Sequence, residues 1–467
     1  LHDVESGDAR PILEGVGSAR WSPNGRYIAY VRGAGGDGAE VFVRWMDDGT
    51  TRQVTRLSES PGSLRWSPDS ARIAFTMSVP RETKPLASMP KKPAGAEWAP
   101  APKVVEQFRY RADGGGYLDD TDRQVFVVDA MGGTPRQLTD GPADHGGGLM
   151  WADEGTLLFS ANLREDRHDH PNDTDLWSLR VADGELTKLT FREGPDGGAA
   201  LDDASKTLFW TGFDDRRQGH QQRQIYAQPL GGGDRRVLTE ALDRSPGNLI
   251  VDQGKLYFSY VDEGRTRVGV TSAGGGVEVL DLSLHGMGSG RPYTSGEFHV
   301  AGGTMAWIGG DPAWPGELHL ARGDFDLQLQ VTDVNADLRE TVELGAVEEL
   351  WTESGADDLR VQSWIITPPG FEADRTHPLI LEIHGGPFTA YGPAFTFELQ
   401  LMAAKGYVVV YGNPRGSTSY GEAFANRIHH AYPSQDYDDL MSMVDAVVER
   451  GIIDRTRLFV TGGSGGG

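Results

Sequence analysis

The sequence predicts two domains of different class: an all-β propeller of about seven blades over residues 1–340 and an α/β domain over residues 341–467. Two observations predict this division. A strand-rich motif recurs through residues 1–332, whereas apolar strands and amphipathic helices alternate from residue 379 onward. We place the boundary near residue 340, before an antiparallel strand pair at 347–353 and 359–367.

The repeated motif begins with an aromatic or apolar residue, a tight turn and an apolar strand, which together we call a head. The best copies are residues 20–31 and 65–76, and weaker ones start near residues 150, 200, 250 and 300. A tail follows each head, consisting of a strand, a glycine turn and a second short strand, as in residues 124–139. Four short strands in a period of about 35–50 residues are typical of propeller blades.

The heads and tails differ in number. Tails lie near residues 1, 41, 125, 176, 225, 268 and 318, one more than the six heads. Residues 1–14 form a tail without a head, so we expect the first half-blade to lie upstream of Leu1. Residues 79–123 interrupt the second blade; we predict a solvated surface loop, with a flap reaching toward the second domain as the alternative.

The composition excludes several classes of partner. The chain has 68 acidic and 44 basic residues, and its net charge of −24 argues against nucleic acid or an anionic membrane as a partner. No apolar run approaches the roughly 18–20 residues of a membrane helix. The sequence has no cysteine, which excludes disulfides and thiolate metal sites and is compatible with the cytoplasm, the location that we predict. We predict no cofactor and no metal.

The predicted second domain ends in a glycine-rich turn. An apolar strand at 458–461 runs directly into Gly462-Gly-Ser-Gly-Gly466, a G-x-S-x-G pattern. A serine nucleophile on a sharp strand-to-helix turn needs small neighbours, and the next amide, that of Gly465, then faces the developing oxyanion. Upstream, the strand at 379–384 exits into His384-Gly-Gly-Pro387, where a second oxyanion donor is expected in α/β-hydrolases.

Several motifs in this order resemble the prolyl oligopeptidase family of serine peptidases, and its acylaminoacyl-peptidase-like branch in particular. They are His384-Gly-Gly-Pro387, Tyr411-Gly-Asn-Pro-Arg-Gly-Ser417, Tyr420-Gly-Glu-Ala-Phe424, Asp436-Tyr-Asp-Asp-Leu440 and Thr461-Gly-Gly-Ser464. The resemblance implies an α/β-hydrolase domain, incomplete in this chain. Ser464 would be its nucleophile, and the backbone amides of Gly386 and Gly465 would form the oxyanion hole. The family usually has Tyr after the serine, where this chain has Gly465.

A serine nucleophile requires a histidine base and an orienting carboxylate, which follow the serine in the α/β-hydrolase chain order. We therefore expect both beyond Gly467. His384 is expected to fix the oxyanion loop, and His429 and His430 to be solvated or packing histidines. Arg415 is expected to form a structural ion pair, with Asp436 or Asp438 as its partner.

The predicted function is a serine peptidase that cleaves short peptides through an acyl-enzyme, an acylaminoacyl peptidase or a related exo- or oligopeptidase. By the resemblance, the propeller would limit access to small or unfolded substrates. One alternative is a propeller binding or scaffold protein with an inactive hydrolase remnant, and another is an esterase on the same triad. Since this branch often assembles, a homo-oligomer is also left open.

Overall fold

The computed structural model describes residues 1–3, 6–33, 35, 38–81, 90–97, 99, 103–286 and 290–466. The chain divides into two compact units, Ile12–Ala199 in one and Leu1–Pro11 with Ala200–Gly467 in the other. The predicted boundary near residue 340 stays a prediction. In the described part of the chain, no helix is both long and apolar enough to cross a bilayer. Residues 82–89, 98 and 100–102 of the predicted loop or flap lie outside the described residues.

The unit Ile12–Ala199 contains three four-stranded antiparallel sheets and a two-stranded hairpin. In each sheet the strands lie side by side in chain order, which matches one head followed by one tail. The sheets are β1 Gly17–Trp21, β2 Tyr27–Gly33, β3 Ala39–Trp45, β4 Thr51–Gln53; β5 Gly62–Trp66, β6 Arg72–Pro80, β9 Thr121–Asp129, β10 Arg136–Gln137; and β11 Gly147–Asp153, β12 Thr156–Ala161, β13 Asp175–Arg180, β14 Leu186–Lys188. The hairpin is β7 Arg111–Ala112 and β8 Gly116–Tyr117.

The next strands repeat this arrangement, first as one four-stranded sheet and then as an eight-stranded sheet. They are β15 Asp196–Asp202, β16 Thr207–Gly212, β17 Gln224–Pro229, β18 Arg236–Val237; and β19 Gly247–Asp252, β20 Lys255–Asp262, β21 Arg265–Thr271, β22 Glu278–Leu284, β23 Phe298–Ala301, β24 Thr304–Asp311, β25 Trp314–Arg322, β26 Gln328–Gln330. Among the described residues, the strand pairing between the two halves of the larger sheet consists of one residue pair, Leu284 with Gly309. The four strands predicted per repeat are therefore present, and the number of blades stays a prediction.

Two local features explain why the repeats fold this way. In the first head turn, Asn24 Oδ1 accepts the Arg26 N–H at 3.0 Å and Gly25 adopts a φ of 70°, as the turn chemistry predicts. In the tails, a threonine Oγ1, buried in all copies but the last, accepts a strand N–H from fourteen residues earlier. This occurs five times among the described residues: Val41 to Thr55, Val125 to Thr139, Leu176 to Thr190, Ile225 to Thr239 and Leu318 to Thr332.

The end of the chain forms a five-stranded mixed sheet. The short helix α1 Ala336–Thr341 precedes it, and its elements are β27 Val347–Glu353, β28 Arg360–Ile366, β29 His377–Ile383, α2 Phe397–Ala404, β30 Val408–Asn413, α3 Glu422–Ala425, α4 Asp436–Val448 and β31 Ile453–Gly462. The strand order is β27-β28-β30-β29-β31. The first two strands are antiparallel, whereas β30, β29 and β31 are mutually parallel, as predicted.

Helices pack on both faces of this sheet because successive strand residues point to opposite sides. Val408 and Val410 of β30 pack in a cluster with Met443 of α4. Val409 of the same strand packs with Leu399 of α2. The sheet is thereby held rigidly between two apolar layers, and its parallel strands direct their C-terminal ends to one edge.

Candidate active site

Ser464 lies where β31 ends, and it is exposed. Its φ of 57° is in the left-handed region, which costs a non-glycine residue about 1–2 kcal/mol. The outer glycines of the pattern permit this turn. A Cβ on Gly462 would lie 2.5 Å from the Gly466 carbonyl oxygen, and one on Gly466 would overlap the carbonyl oxygen of Ile383. The G-x-S-x-G spacing thus has a steric reason here, and the strand-to-turn geometry is present.

The loop after β29 meets the Ser464 turn. Ser464 Cβ lies 3.2 Å from the position that a Cβ on Gly385 would take. The Gly386 nitrogen lies 3.4 Å from the corresponding position on Gly465. Within the described part of the chain, the N–H groups of Gly386 and Gly465 have no hydrogen-bond partner. The structure therefore brings the three predicted site residues together, with two unpaired donors beside an exposed hydroxyl.

His384 is buried at the exit of β29, and both its ring nitrogens are occupied inside the protein. Nδ1 lies 2.6 Å from the Gly385 carbonyl oxygen, which can only accept, so Nδ1 carries the proton. Nε2 lies 2.9 Å from Ser417 Oγ, whose hydroxyl donates to the Pro414 carbonyl oxygen at 2.7 Å. Burial lowers the pKa of His384 and favours the neutral ring. This arrangement fits the expectation that His384 positions the loop.

A buried carboxylate lies under the same loop. Glu382 of β29 is fully buried, and burial raises its pKa above the ordinary value. The Tyr391 hydroxyl donates to Glu382 Oε1 at 2.9 Å, and Arg291 Nε lies 2.9 Å from the same oxygen. The strand that leads to Gly386 is therefore tied to the loop residue Tyr391 and to a segment that precedes the mixed sheet.

Arg415 forms the predicted structural ion pair, but the predicted partners are wrong. Its guanidinium bonds to Asp439 Oδ1 at 2.8 Å and to Asp357 Oδ1 at 2.8 Å. Asp439 is the acid of α4 that the helix turns inward, where it is fully buried and accepts the backbone N–H of Arg415 as well. Asp436 and Asp438 lie on other sides of the same helix turn.

The two histidines at 429 and 430 have packing contacts. His429 Nδ1 accepts the backbone N–H of Gly219 at 3.0 Å, and the two rings lie 4.0 Å apart. Among the described residues no hydrogen bond joins Ser464 Oγ to a histidine. The acid and base of the triad therefore stay predictions.

Two tyrosines reach this site from segments that the motifs did not identify. Tyr293 Oη accepts the Gly385 N–H at 2.9 Å, from the segment between β22 and β23. Tyr432 Oη lies 3.4 Å from the Gly465 carbonyl oxygen. Neither has a sequence signal, because the aromatic residue is placed by the tertiary fold rather than by a spacing to Ser464.

Comparisons with known proteins agree with the motifs. A family model described as the prolyl oligopeptidase family matches residues 393–467. An uncharacterized peptidase of Bacillus subtilis, YuxL, is 29% identical over 488 residues, which cover 100% of this chain and 72% of the relative. A probable dipeptidyl-peptidase 5 of Emericella nidulans is 27% identical, but the match covers only 59% of this chain and 38% of that protein.

Solved structures share the fold. An acylaminoacyl peptidase of Pyrococcus horikoshii has a TM-score of 0.79 at 23% identity, over 97% of this chain and 67% of that one. An acylaminoacyl peptidase in complex with Z-Gly-Gly-Phe-chloromethyl ketone has a TM-score of 0.80 at 23% identity, over 100% of this chain and 68% of that one. The resemblance predicted from the motifs is confirmed: the chain is similar to the prolyl oligopeptidase family of serine peptidases, whose model matches its last 75 residues.

Proposed function

We propose that this protein is a serine peptidase that cleaves short peptides through an acyl-enzyme on Ser464, with acylated peptides as its substrates. The amides of Gly386 and Gly465 are its oxyanion donors. The observation that carries the proposal is the turn at Ser464: a non-glycine residue at a φ of 57°, exposed, with its Cβ against Gly385. Backbone strain of this kind concentrates at functional sites.

In the proposed reaction, Ser464 Oγ attacks the carbonyl carbon of the scissile bond while a general base takes the hydroxyl proton. The carbonyl oxygen gains negative charge and accepts hydrogen bonds from the two amides. The C–N bond then breaks, the departing amine takes the proton, and the acyl group stays on Ser464. Water attacks the ester, releases the acid and returns the proton to the serine.

The proposal also covers the fold, the access of substrates to the site, and the location and partners of the protein. The repeated sheets are taken as blades of a seven-bladed propeller, followed by an α/β-hydrolase domain. The propeller restricts entry to short or unfolded peptides. The absence of cysteine is compatible with a cytoplasmic location, and the net charge of −24 disfavours nucleic acid as a partner.

Acylated peptides are proposed because the solved acylaminoacyl peptidases cover nearly the whole chain. A second substrate class has its own support, since several relatives are named dipeptidyl-peptidase 5, including one of Porphyromonas gingivalis that is 21% identical over 73% of this chain. Such an activity would require a free amino terminus on the substrate. The two classes therefore differ in a property that a substrate pair can test.

The test uses the full-length protein and a fluorophosphonate probe. We expect the probe to label Ser464, located by peptide mass spectrometry, and labelling to disappear in Ser464→Ala. An intact protein that is not labelled would favour the scaffold alternative. An acetylated amino-acid anilide, a free dipeptide anilide and a short-chain ester should then be compared by kcat/KM. Preference for the acetylated anilide supports the proposal, whereas preference for the dipeptide or the ester replaces it with the corresponding activity.

A further inference from the structure

The segment 290–296, which connects β22 to β23, lies against the loop that carries the oxyanion donor. The Thr294 N–H donates to the Ala390 carbonyl at 3.0 Å, and the Gly392 N–H donates to the Pro292 carbonyl at 2.9 Å. The rings of Tyr293 and Tyr391 pack edge to face, with centroids 4.8 Å apart. The segment and the loop belong to the same compact unit, so these contacts fix Tyr293 relative to Ser464.

The Tyr293 hydroxyl borders the same space as Ser464. The point where a Cβ on Gly385 would lie is 3.0 Å from Tyr293 Oη, 3.1 Å from the Gly463 carbonyl oxygen and 3.2 Å from Ser464 Cβ. These groups can approach Gly385 so closely only because the residue is glycine. A hydroxyl oxygen and the nucleophile therefore flank one small volume beside the N–H of the next residue, Gly386.

The hydroxyl proton is available for a ligand. Tyr293 Oη uses a lone pair to accept the Gly385 N–H at 2.9 Å, which fixes the oxygen. A tyrosine hydroxyl also donates one hydrogen bond, and no acceptor for it is present among the described residues. A fixed donor with no acceptor beside a nucleophile is the arrangement that stabilises an oxyanion without reorganisation.

Arg291 of the same segment lies against the Ser464 turn. Its Nη1 lies against Gly463, where any Cβ would overlap it, and its Nε is paired with Glu382. This ion pair neutralises the buried Glu382 carboxylate, which lies close to where the negative charge of the oxyanion would develop. The segment thus brings a hydroxyl donor to the site, together with an arginine that is paired with Glu382 and lies 3.8 Å from Glu398.

We propose that Tyr293 is a catalytic residue that donates a third hydrogen bond to the substrate oxygen at Ser464, beside the amides of Gly386 and Gly465. The inference rests on the proposed function. The hydroxyl transfers no proton. It donates to the carbonyl oxygen as the bond from Ser464 Oγ to carbon forms, and it releases that oxygen when the C–N bond breaks and the carbonyl is restored.

The test is Tyr293→Phe in the full-length protein, because phenylalanine keeps the ring packing on Tyr391 and removes only the hydroxyl. We expect kcat on the preferred substrate to fall about 10²-fold, with KM changed less than about threefold and the melting temperature close to that of the wild type. Tyr437→Phe is the matched control, since Tyr437 is exposed on α4, and it should leave kcat unchanged.

Two results would overturn the inference. A Tyr293→Phe variant with unchanged kcat shows that the hydroxyl is not a donor in the reaction. A variant that loses melting temperature and raises KM along with its loss of kcat shows a structural role through Gly385 instead. Fluorophosphonate labelling of the wild type separates these results from failure of the proposed function, because an unlabelled wild type overturns the function and this inference together.

Discussion

The repeated four-stranded sheets and the five-stranded mixed sheet satisfy their buried polar groups in different ways. In the repeats, the recurring threonine bonds span fourteen residues, so each repeat supplies its own partners. In the mixed sheet, Arg415 and Asp439 are 24 residues apart, His384 and Ser417 are 33 apart, and Tyr293 reaches Gly385 across 92. The threonine motif of the first region is therefore local, although Trp66 and Trp151 each donate to a carbonyl of the preceding repeat. The second places its reactive groups only when distant segments are assembled, which makes them precise and sensitive to substitution.

The largest effect should come from Ser464→Ala, because the chemistry is assigned to the mixed sheet alone. We expect activity on peptide anilides to fall about 10⁴–10⁶-fold with little change in the free energy of unfolding. Ser58→Ala, at an exposed position among the repeats, should leave activity unchanged. If the two variants are equally active in a steady-state assay, the chemistry does not belong to the mixed sheet alone.

Gly386→Ala should have the next largest effect. Gly386 has a φ of 116°, and an added Cβ would lie 2.9 Å from the Phe388 nitrogen, so the donor N–H has to move. We expect kcat to fall about 10²–10³-fold, as for loss of one oxyanion donor. Gly370→Ala is the control, because its φ of 64° carries similar strain in open space. A loss of activity in both variants would point to general strain rather than to the donor.

Two arginines that share Asp357 test how the mixed sheet is held together. Arg415 is buried with Asp439, whereas Arg427 lies at the surface, 3.3 Å from Asp357. Arg415→Met leaves a buried carboxylate unpaired and should cost about 3–5 kcal/mol of unfolding free energy. Arg427→Met should cost less than about 1 kcal/mol. Urea denaturation measures both, and similar costs would contradict the structural role of the buried pair.

The unfolding free energy of the repeated region should depend on pH through His285, which directly follows β22. Burial lowers the pKa of His285 to about 4, and Asp311 and Arg265 are the charged groups that oppose and add to that effect. Between its ordinary pKa of 6.5 and about 4, the unfolded chain binds a proton that the folded chain excludes. Unfolding free energy should therefore fall by roughly 2–3 kcal/mol as the pH drops through this window.

The comparison that isolates this effect is His285→Phe, which removes the titrating ring. Its unfolding free energy, measured in urea from pH 7.5 to pH 4, should decline less steeply than that of the wild type. If the unfolding free energies of the two proteins decline in parallel with pH, burial does not lower the pKa of His285.

The smallest effect should come from the threonine motif. Thr139→Val keeps the shape of the side chain but leaves the buried N–H of Val125 without its acceptor. We expect a cost of about 1–3 kcal/mol in unfolding free energy. Thr187→Val, at an exposed strand position, should change it by less than about 0.5 kcal/mol. A neutral Thr139→Val would mean that the repeated bond is incidental to the fold of the sheet.

Prediction from sequence succeeded where the signal is local. Periodicity located β29, β30 and α4, and the glycine spacing located the turn at Ser464, because those features depend on near neighbours. A Leu-Thr or Val-Thr pair at the end of five of the seven tails is a further local signal of the repeat. The partner of Arg415 was wrong, because the inward face of α4 decides among its three first-turn acids. Tyr293 was missed since only tertiary assembly brings it to Gly385.

The most direct test of the central claim is a crystal structure of the full-length protein after reaction with a phosphonate inhibitor. We predict a covalent bond from Ser464 Oγ to phosphorus, with the phosphonyl oxygen within about 3.1 Å of the Gly386 and Gly465 nitrogens. An adduct on another residue, or a phosphonyl oxygen directed away from both amides, would contradict the account.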